Sequence, residues 1–216
     1  SGSHADTTAD MSTYHHLVDV GLPLVLVNGY SPTIATPQIS DDDVSAMDQA
    51  IAHLVSLGHE HIGLAVGPRR YVPAQRKEQG VRAAMDRRLS GHGKVTVSNT
   101  VFSVDGGAHA AVDLLGQGVS AIICGSDLMA LGAIRAVRAQ GLSVPRDVSV
   151  IGSDDSALMR YTDPPLTSLH QDVGLISTMA VQSLIGLVRG DAVFLRERLV
   201  RPELVIRATT GPARGA

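Results

Sequence analysis

The segment VSAIICGSDLMALGAIRAVRAQGLSVPRDVSVIGSDD (residues 119–155) contains the pattern that decides the fold class. A short aliphatic run at 119–124 predicts a buried strand, residues 127–140 predict an amphipathic helix, and residues 148–152 predict a second aliphatic strand. Two strands joined by a helical crossover pair in parallel, because the crossover returns the chain to the end of the sheet at which it started. Each strand stops on polar residues, and the second stops on two adjacent carboxylates, Asp154 and Asp155.

The same alternation of strands and helices extends along the chain. Further strands are predicted at 22–27, 61–66, 95–101 and 203–208, and further helices at 74–88, 107–115 and 172–189. Another helix is predicted from Ser40 to Gly58, with Ser40 as its N-cap, three aspartates that complement the helix dipole, and Gly58 after its last turn. This order predicts an α/β fold with a parallel sheet covered on both faces, in which ligands bind at the carboxyl ends of the strands.

Composition narrows the classes of protein that the chain can belong to. The 216 residues are 44% hydrophobic, enough for a substantial core, and the net charge of -3 gives no electrostatic footprint for nucleic acid. No apolar run approaches the roughly 20 residues that cross a bilayer, so no membrane partner is expected. No signal peptide is visible, and the single cysteine, Cys124, excludes an intramolecular disulfide. These features predict a cytoplasmic protein.

Short polar side chains follow three of the predicted strands. Asn28 ends the strand at 22–27, Ser126 follows the strand at 119–124, and Asp154 follows the strand at 148–152. Ser126 precedes a helix, and its pattern favours a helix N-cap over a ligand-binding role. Asp154 precedes a loop-like stretch, and its position alone leaves a structural role and a ligand-acceptor role equally open.

Two cations, Arg76 and Lys77, are predicted in the first turn of the helix at 74–88. Cations there oppose the helix dipole, so local helix stability does not account for them. One hypothesis is that one of them reaches into a cleft and pairs with a ligand or with a carboxylate such as Asp154. The alternative, which spacing alone favours, is a solvated surface.

Motifs for metal binding and catalysis are weak or absent. His53, His59 and His61 lack the further ligands that would complete a tetrahedral metal site, and no metal or cofactor is predicted. The glycines in VDGGAHAA (104–111) match neither phosphate-binding motif and favour helix capping and close packing. No hydrolase nucleophile motif is present, and Cys124 has no recognisable activating partner, so the chain is not predicted to be an enzyme.

A resemblance adds a specific architecture. The segment SDLMALGAIRAVRAQGLSVPRDVSVIGSDDSALMRYTDPPLTSLHQD (126–172) resembles the effector-binding domain of LacI/GalR-type transcriptional regulators, and the likeness extends to AIAHLVSLGHEHIGLAVGP (50–68) and RPELVIRATTGP (201–212). The resemblance implies a periplasmic-binding-protein-like type I fold of two Rossmann-like, parallel-sheet lobes joined by three crossovers, with the N-terminal lobe incomplete. It assigns residues 1–39 and 171–199 to the remnant of that lobe, and residues 40–170 and 200–216 to the C-terminal lobe. The Pro-Pro segment at 162–168 is predicted to be a place where the chain crosses between lobes.

The resemblance also implies a site and a function. Carried over by position, the residues around the interlobe cleft are Asn28, Lys77 or Arg76, Phe102, Ser126, Asp154 and Val173. Two of these depart from the family pattern, in which Asn stands at the position of Ser126 and Arg at the position of Lys77. Hydrogen-bond acceptors, cationic donors and a flat aromatic face suit a sugar or a nucleoside. The implied function is a ligand-responsive regulator, a repressor, that forms a homodimer and binds operator DNA through an N-terminal headpiece absent from this chain.

Two other functions remain open at this stage. A periplasmic solute-binding protein of a sugar transporter shares the fold and would be distinguished by a signal peptide upstream. An α/β enzyme that uses Asp127, Asp154 and Asp155 would show turnover or dependence on a divalent metal.

Overall fold

The computed structural model describes residues 3–214, which form six α-helices and nine strands within that range. The helices are α1 (Ser12–Asp19), α2 (Asp43–Ser56), α3 (Val72–Leu89), α4 (Val104–Gly116), α5 (Asp127–Ala139) and α6 (Val173–Arg189). The strands are β1 (Leu26–Val27), β2 (Gln38–Asp41), β3 (His61–Val66), β4 (Lys94–Asn99), β5 (Ala121–Cys124), β6 (Ser149–Asp154), β7 (Thr167–His170), β8 (Glu197–Val200) and β9 (Glu203–Val205).

The larger of two sheets has six strands in the order β4-β3-β5-β6-β7-β9. All neighbours pair in parallel except β7 and β9, so the last strand runs opposite to the others and ends at Val205, before the predicted residue 208. One apolar cluster, which includes Leu114 and Met129, packs under α4 and α5, and a second, which includes Met47 and Val81, packs under α2 and α3. Helices therefore cover both faces, which confirms the predicted α/β class.

The smaller sheet has three parallel strands in the order β1-β2-β8. Ile39 of β2 and Val200 of β8 pack against Ile176 and Met179 of α6. The chain passes between the two sheets three times, after β2, after β7 and after β8. Two parallel-sheet units with three crossovers agree with the predicted periplasmic-binding-protein-like architecture.

Three local predictions are wrong. Ser40 does not cap α2, because it lies within β2 opposite Leu199 of β8; the N-cap is Asp42, whose carboxylate accepts a hydrogen bond from the Ser45 amide at 3.0 Å. The Pro-Pro segment does not cross between the sheets, since it leads into β7 of the larger sheet. Arg76 and Lys77 lie in the second turn of α3, because that helix begins at Val72.

Candidate functional site

A cleft of about 240 Å³ lies where the carboxyl ends of the strands in both sheets meet. Strands β1 and β2 contribute one wall, the ends of β5 and β6 contribute the opposite wall, and the start of α3 borders both. The cleft is lined by Asn28, Gly29, Ser40, Asp41, Asp43, Val72, Pro73, Arg76, Lys77, Phe102, Gly125, Ser126, Asp154 and Gln171. The carboxyl edge of an open parallel sheet is where such folds bind ligands.

The cleft brings together six of the seven predicted site residues. Asn28, Arg76, Lys77, Phe102, Ser126 and Asp154 all line it. Val173 does not, because Asp172 caps α6 with its carboxylate and Val173 begins the helix outside the cleft, with 61% of its surface exposed. Gln171, two residues earlier in the chain, lines the cleft instead. That any of these side chains contacts a ligand stays a prediction.

Arg76 lines the cleft but is paired with a carboxylate of the smaller sheet. Its guanidinium donates two hydrogen bonds to the Glu197 carboxylate, each of 2.7 Å, and its Cζ lies 5.3 Å from the centroid of the Tyr30 ring. Glu197 begins β8 in the smaller sheet, whereas Arg76 belongs to a helix that covers the larger sheet. A bidentate pair of this kind is among the strongest side-chain contacts and fixes the planes of both groups. It ties the two sheets together at the mouth of the cleft.

The positive charge of Lys77 is balanced by a buried carboxylate in the wall of the cleft. Its ammonium donates to the carboxylate of Asp43, the first residue of α2, and both residues are buried. Burial raises the pKa of Asp43, and the positive charge of Lys77 acts in the opposite direction. The close approach of α3 to α2 depends on Gly80, where an added Cβ would lie 2.9 Å from the Cβ of Met47. The solvated surface that spacing favoured is therefore wrong for Lys77, and the carboxylates that pair with the two cations are Asp43 and Glu197 rather than the Asp154 of the alternative hypothesis.

Asp41 and Ser40 bring unsatisfied polar atoms to the cleft. Asp41 is 6% exposed and Ser40 is 4% exposed, and within residues 3–214 neither Oδ1 of Asp41 nor Oγ of Ser40 has a hydrogen-bond partner. Burial, followed by the negative charge of Asp43, raises the pKa of Asp41 to about 6, although Lys77 opposes the rise. Buried polar groups without partners are uncommon, so these two atoms mark a place where a hydrogen-bond donor would bind. Neither residue was predicted as part of the site.

Asp154 faces the cleft from the end of β6. Its φ of 110° is one that residues with a side chain rarely adopt, and such backbone strain concentrates at functional sites. Burial, followed by the charge of Asp127, raises the pKa of Asp154 to about 7, with Lys77 acting in the opposite direction. Burial and the charge of Asp127 therefore outweigh the stabilisation that Lys77 and the backbone amide of Asp127 give to the ionised carboxylate of Asp154.

The neighbours of Asp154 are occupied by structural contacts. Oδ2 of Asp127 accepts hydrogen bonds of 2.8 Å from the amide and the hydroxyl of Ser156, and Oδ1 accepts one of 2.6 Å from Ser168. Asp155 lies 2.6 Å from Arg207. Asp127 and Asp155 thus each make contacts within the larger sheet.

Ser126 caps a helix, as its sequence context favours. Its Oγ accepts a hydrogen bond of 3.3 Å from the Met129 amide at the start of α5, which confirms the N-cap interpretation. The same residue lines the cleft, so capping does not remove it from the site.

Phe102 gives the cleft an apolar face. Its ring lies over the backbone of Gly67, where an added Cβ would stand only 1.9 Å from the ring, and beside Gly125, where the corresponding distance is 3.2 Å. Glycine at both strand ends therefore provides the space in which the ring lies flat. An aromatic face of this kind packs against the C–H faces of a ligand ring.

His53 and His59 make contacts within the part of the fold that contains the larger sheet. His59 is buried and contacts Ser120 at 2.8 Å, Ser149 at 3.0 Å and the Gly211 carbonyl at 3.0 Å, and its burial lowers its pKa. His53 contacts Thr210 at 2.9 Å. Between Ser3 and Arg214, no three His, Cys, Asp or Glu side chains are placed to hold a metal ion. Over the same stretch, no helix combines the length and the apolar character that a membrane span requires.

Comparison with known proteins identifies relatives of the whole fold. Residues 51–210 match the periplasmic binding protein-like domain family. The chain is 49% identical over 213 residues to an uncharacterized HTH-type transcriptional regulator in the aml 5' region of Streptomyces limosus, covering 97% of this chain and 61% of the relative. It is 48% identical over 220 residues to the HTH-type transcriptional regulator reg1 of Streptomyces lividans, covering 100% of this chain and 64% of the relative. The chain thus spans less than two thirds of the length of either regulator.

Solved structures lead to the same group of proteins. A LacI transcriptional regulator from a Rhodococcus species superposes with a TM-score of 0.87 at 29% identity, over 96% of this chain and 76% of that one. The transcriptional regulator CelR in complex with cellobiose superposes with a TM-score of 0.81 at 30% identity, over 89% of this chain and 60% of that one. The chain belongs to the periplasmic binding protein-like domain family, and the relatives and solved structures that it resembles here are transcriptional regulators.

Proposed function

We propose that this chain is the effector-binding part of a ligand-responsive transcriptional repressor, and that its effector is a small polyhydroxylated molecule, a sugar or a nucleoside. The observation that carries the proposal is the cleft, in which unpartnered buried acceptors and an aromatic face meet between two sheets. The regulators similar in sequence, and the cellobiose complex of CelR, support a regulator over a transporter's solute-binding protein.

Each wall of the cleft has a distinct task in this proposal. Asp41 and Ser40 on the smaller sheet, and Asp154 on the larger, accept hydrogen bonds from ligand hydroxyl groups. Phe102 packs against the ring of the ligand. Arg76 and Lys77, although they line the cleft, act on their own carboxylate partners and hold the walls in position. A site that pairs buried acceptors with hydroxyl groups rejects analogues that lack those groups.

In this proposal, a ligand in the cleft also regulates the protein, by changing the arrangement of its two lobes. The domain division proposed for the chain assigns residues 1–39 and 171–199 to one lobe and the remainder to the other. A ligand that contacts both lobes favours one arrangement of them, and it must prefer that arrangement by about 5.5 kcal/mol to move the populations from 1:99 to 99:1. A homodimer of such chains in the cytoplasm would transmit the change to operator DNA through an N-terminal headpiece.

A thermal-shift screen against sugars and nucleosides tests the proposal. A ligand at 100 times its Kd stabilises the folded state by about 2.7 kcal/mol, which raises the Tm of a chain of this size by about 5–10 °C. The Asp154→Asn variant should fold normally and lose most of that rise. Asp113→Asn, which alters an exposed carboxylate on α4, is the matched control and should keep it. The absence of any shift across the panel with a well-folded chain contradicts the proposal.

A further inference from the structure

We propose that the cleft selects uncharged ligands and rejects their phosphorylated or carboxylated forms. This inference names the ligand class of the site and rests on the proposed function above. It comes from the charges that remain in the cleft after every ion pair in its walls has been assigned.

Both cations that line the cleft are already paired. Arg76 makes two hydrogen bonds with Glu197, and Lys77 pairs with Asp43. Within residues 3–214, Asp41 and Asp154 make no ion pair, so the lining carries a surplus of two carboxylates. A bound phosphate or carboxylate needs cations or free donors, and here both cations are held by acidic partners.

The partial positive charges of the helix N-termini beside the cleft do not offset its two unpaired carboxylates. The start of α3 borders the cleft, but its second residue is Pro73, which has no N–H, and a helix N-terminus contributes only about half a positive charge. The start of α5 borders the cleft as well, and its first residue, Asp127, already places a carboxylate there. Half a charge at each helix is outweighed by two carboxylates.

The unsatisfied oxygen of Asp41 requires a donor, which an anionic group does not supply. The ionised carboxylate of Asp41 can only accept hydrogen bonds, whereas the hydroxyl of Ser40, the preceding residue in β2, can accept or donate. A ligand hydroxyl donates to Oδ1 of Asp41, whereas an ionised phosphate or carboxylate group only accepts hydrogen bonds. An anionic group bound beside Asp41 would therefore leave its Oδ1 unsatisfied and add a like charge next to it.

Matched pairs of ligands test the inference. Glucose and glucose 6-phosphate, galactose and galacturonate, and adenosine and adenosine monophosphate differ within each pair in charge. Titration calorimetry at pH 8, where both carboxylates are ionised, should give at least about 100-fold weaker binding for the anionic member of any pair whose neutral member binds, as expected for like charges a few ångströms apart in a partly buried site.

Variants separate charge from size. The variant Asp41→Asn removes one surplus charge, keeps the shape of the site and retains Asp154, so the discrimination between the two members of a pair should fall at least about tenfold. Asp113→Asn should leave it unchanged. Discrimination that is the same in the parent and in Asp41→Asn would arise from size, and would overturn the inference.

The remaining outcomes distinguish this inference from the proposed function. An anionic member that binds as tightly as its neutral counterpart, or more tightly, overturns the charge selectivity and leaves the effector-binding function intact. A panel in which no member of any pair binds overturns the proposed function, and the selectivity is overturned with it.

Discussion

Replacement of Asp41 by Asn should make the unliganded chain more stable at alkaline pH. Asp41 is buried at the end of β2, and burial raises its pKa from the ordinary 3.8 to about 6. The folded state holds the proton more tightly than the unfolded chain does, so ionisation opposes folding. The stability that the protonated group contributes is fully present below pH 3.8 and is lost as the pH rises through 6.

The size of the effect follows from the same pKa values. At pH 8 the ionised Asp41 costs about 3 kcal/mol relative to a neutral side chain of the same shape, and at pH 4 it costs about 0.5 kcal/mol. The free energy of unfolding, measured by urea denaturation, should therefore be higher for Asp41→Asn than for the parent by up to about 3 kcal/mol at pH 8. The two proteins should be nearly equal at pH 4.

Asp48 on α2 supplies a control of opposite sign. Hydrogen bonds from Arg88 and Arg87 lower the pKa of Asp48, although the burial of its carboxylate opposes them, so its ionised form favours folding. Asp48→Asn should be less stable than the parent at pH 8, and the loss should shrink as the pH falls through the lowered pKa. If Asp41→Asn destabilises the chain at pH 8, or stabilises it equally at both pH values, Asp41 is not an uncompensated charge and the account of the cleft is refuted.

Three further experiments, with four substitutions, probe the contacts that shape the cleft and the sheet. A double-mutant cycle with Arg76→Gln and Glu197→Gln should give a coupling energy of about 1–3 kcal/mol in urea denaturation, and additive effects would show that the pair does not tie the sheets together. His59→Ala should cost about 2–4 kcal/mol by the same measurement, because it removes the contacts of a buried imidazole with Ser120, Ser149 and the Gly211 carbonyl and leaves a cavity; a loss below 1 kcal/mol would contradict this. Gly67→Ala should push the Phe102 ring aside and weaken effector binding about tenfold in calorimetry, whereas unchanged affinity would mean that the ring makes no contact with the ligand.

Most of the larger sheet could be predicted because β3, β5 and β6 contain aliphatic runs that alternate with amphipathic helices. Strands β2, β7 and β8 were not predicted, and all three are four residues long and rich in polar side chains. Polar strands of this length carry no periodic signal, and they form because neighbours distant in sequence supply the hydrogen bonds. Pairing of β2 with β8, for example, joins Gln38 to Glu197.

The position of several site residues could be inferred from the same logic. Ser126 and Asp154 stand at the carboxyl ends of the neighbouring parallel strands β5 and β6, which lie at one edge of the larger sheet. Asn28 follows β1 of the smaller sheet, and the sequence alone does not show that the two sheets meet at the cleft. The partners of Arg76 could not be inferred, because Glu197 lies 121 residues further along the chain on an unpredicted strand. A sequence can show that a cation is out of place on its own helix, but only the fold shows which carboxylate neutralises it.

The three consecutive aspartates before and at the start of α2 show most clearly why the sequence alone predicted only part of the site. All three were interpreted as complements to the helix dipole, yet one carboxylate would supply much of the stabilisation that a negative charge gives to a helix N-terminus. In the fold, Asp42 caps the helix, Asp43 neutralises Lys77, and Asp41 ends β2 with an unpartnered oxygen in the cleft. The strand that precedes the helix creates this division, because Asp41 is its last residue and lines the cleft. The sequence did contain a signal, since three aspartates are more than a helix N-terminus requires. The extra carboxylate, that of Asp41, is the one to which the proposed effector would donate a hydrogen bond.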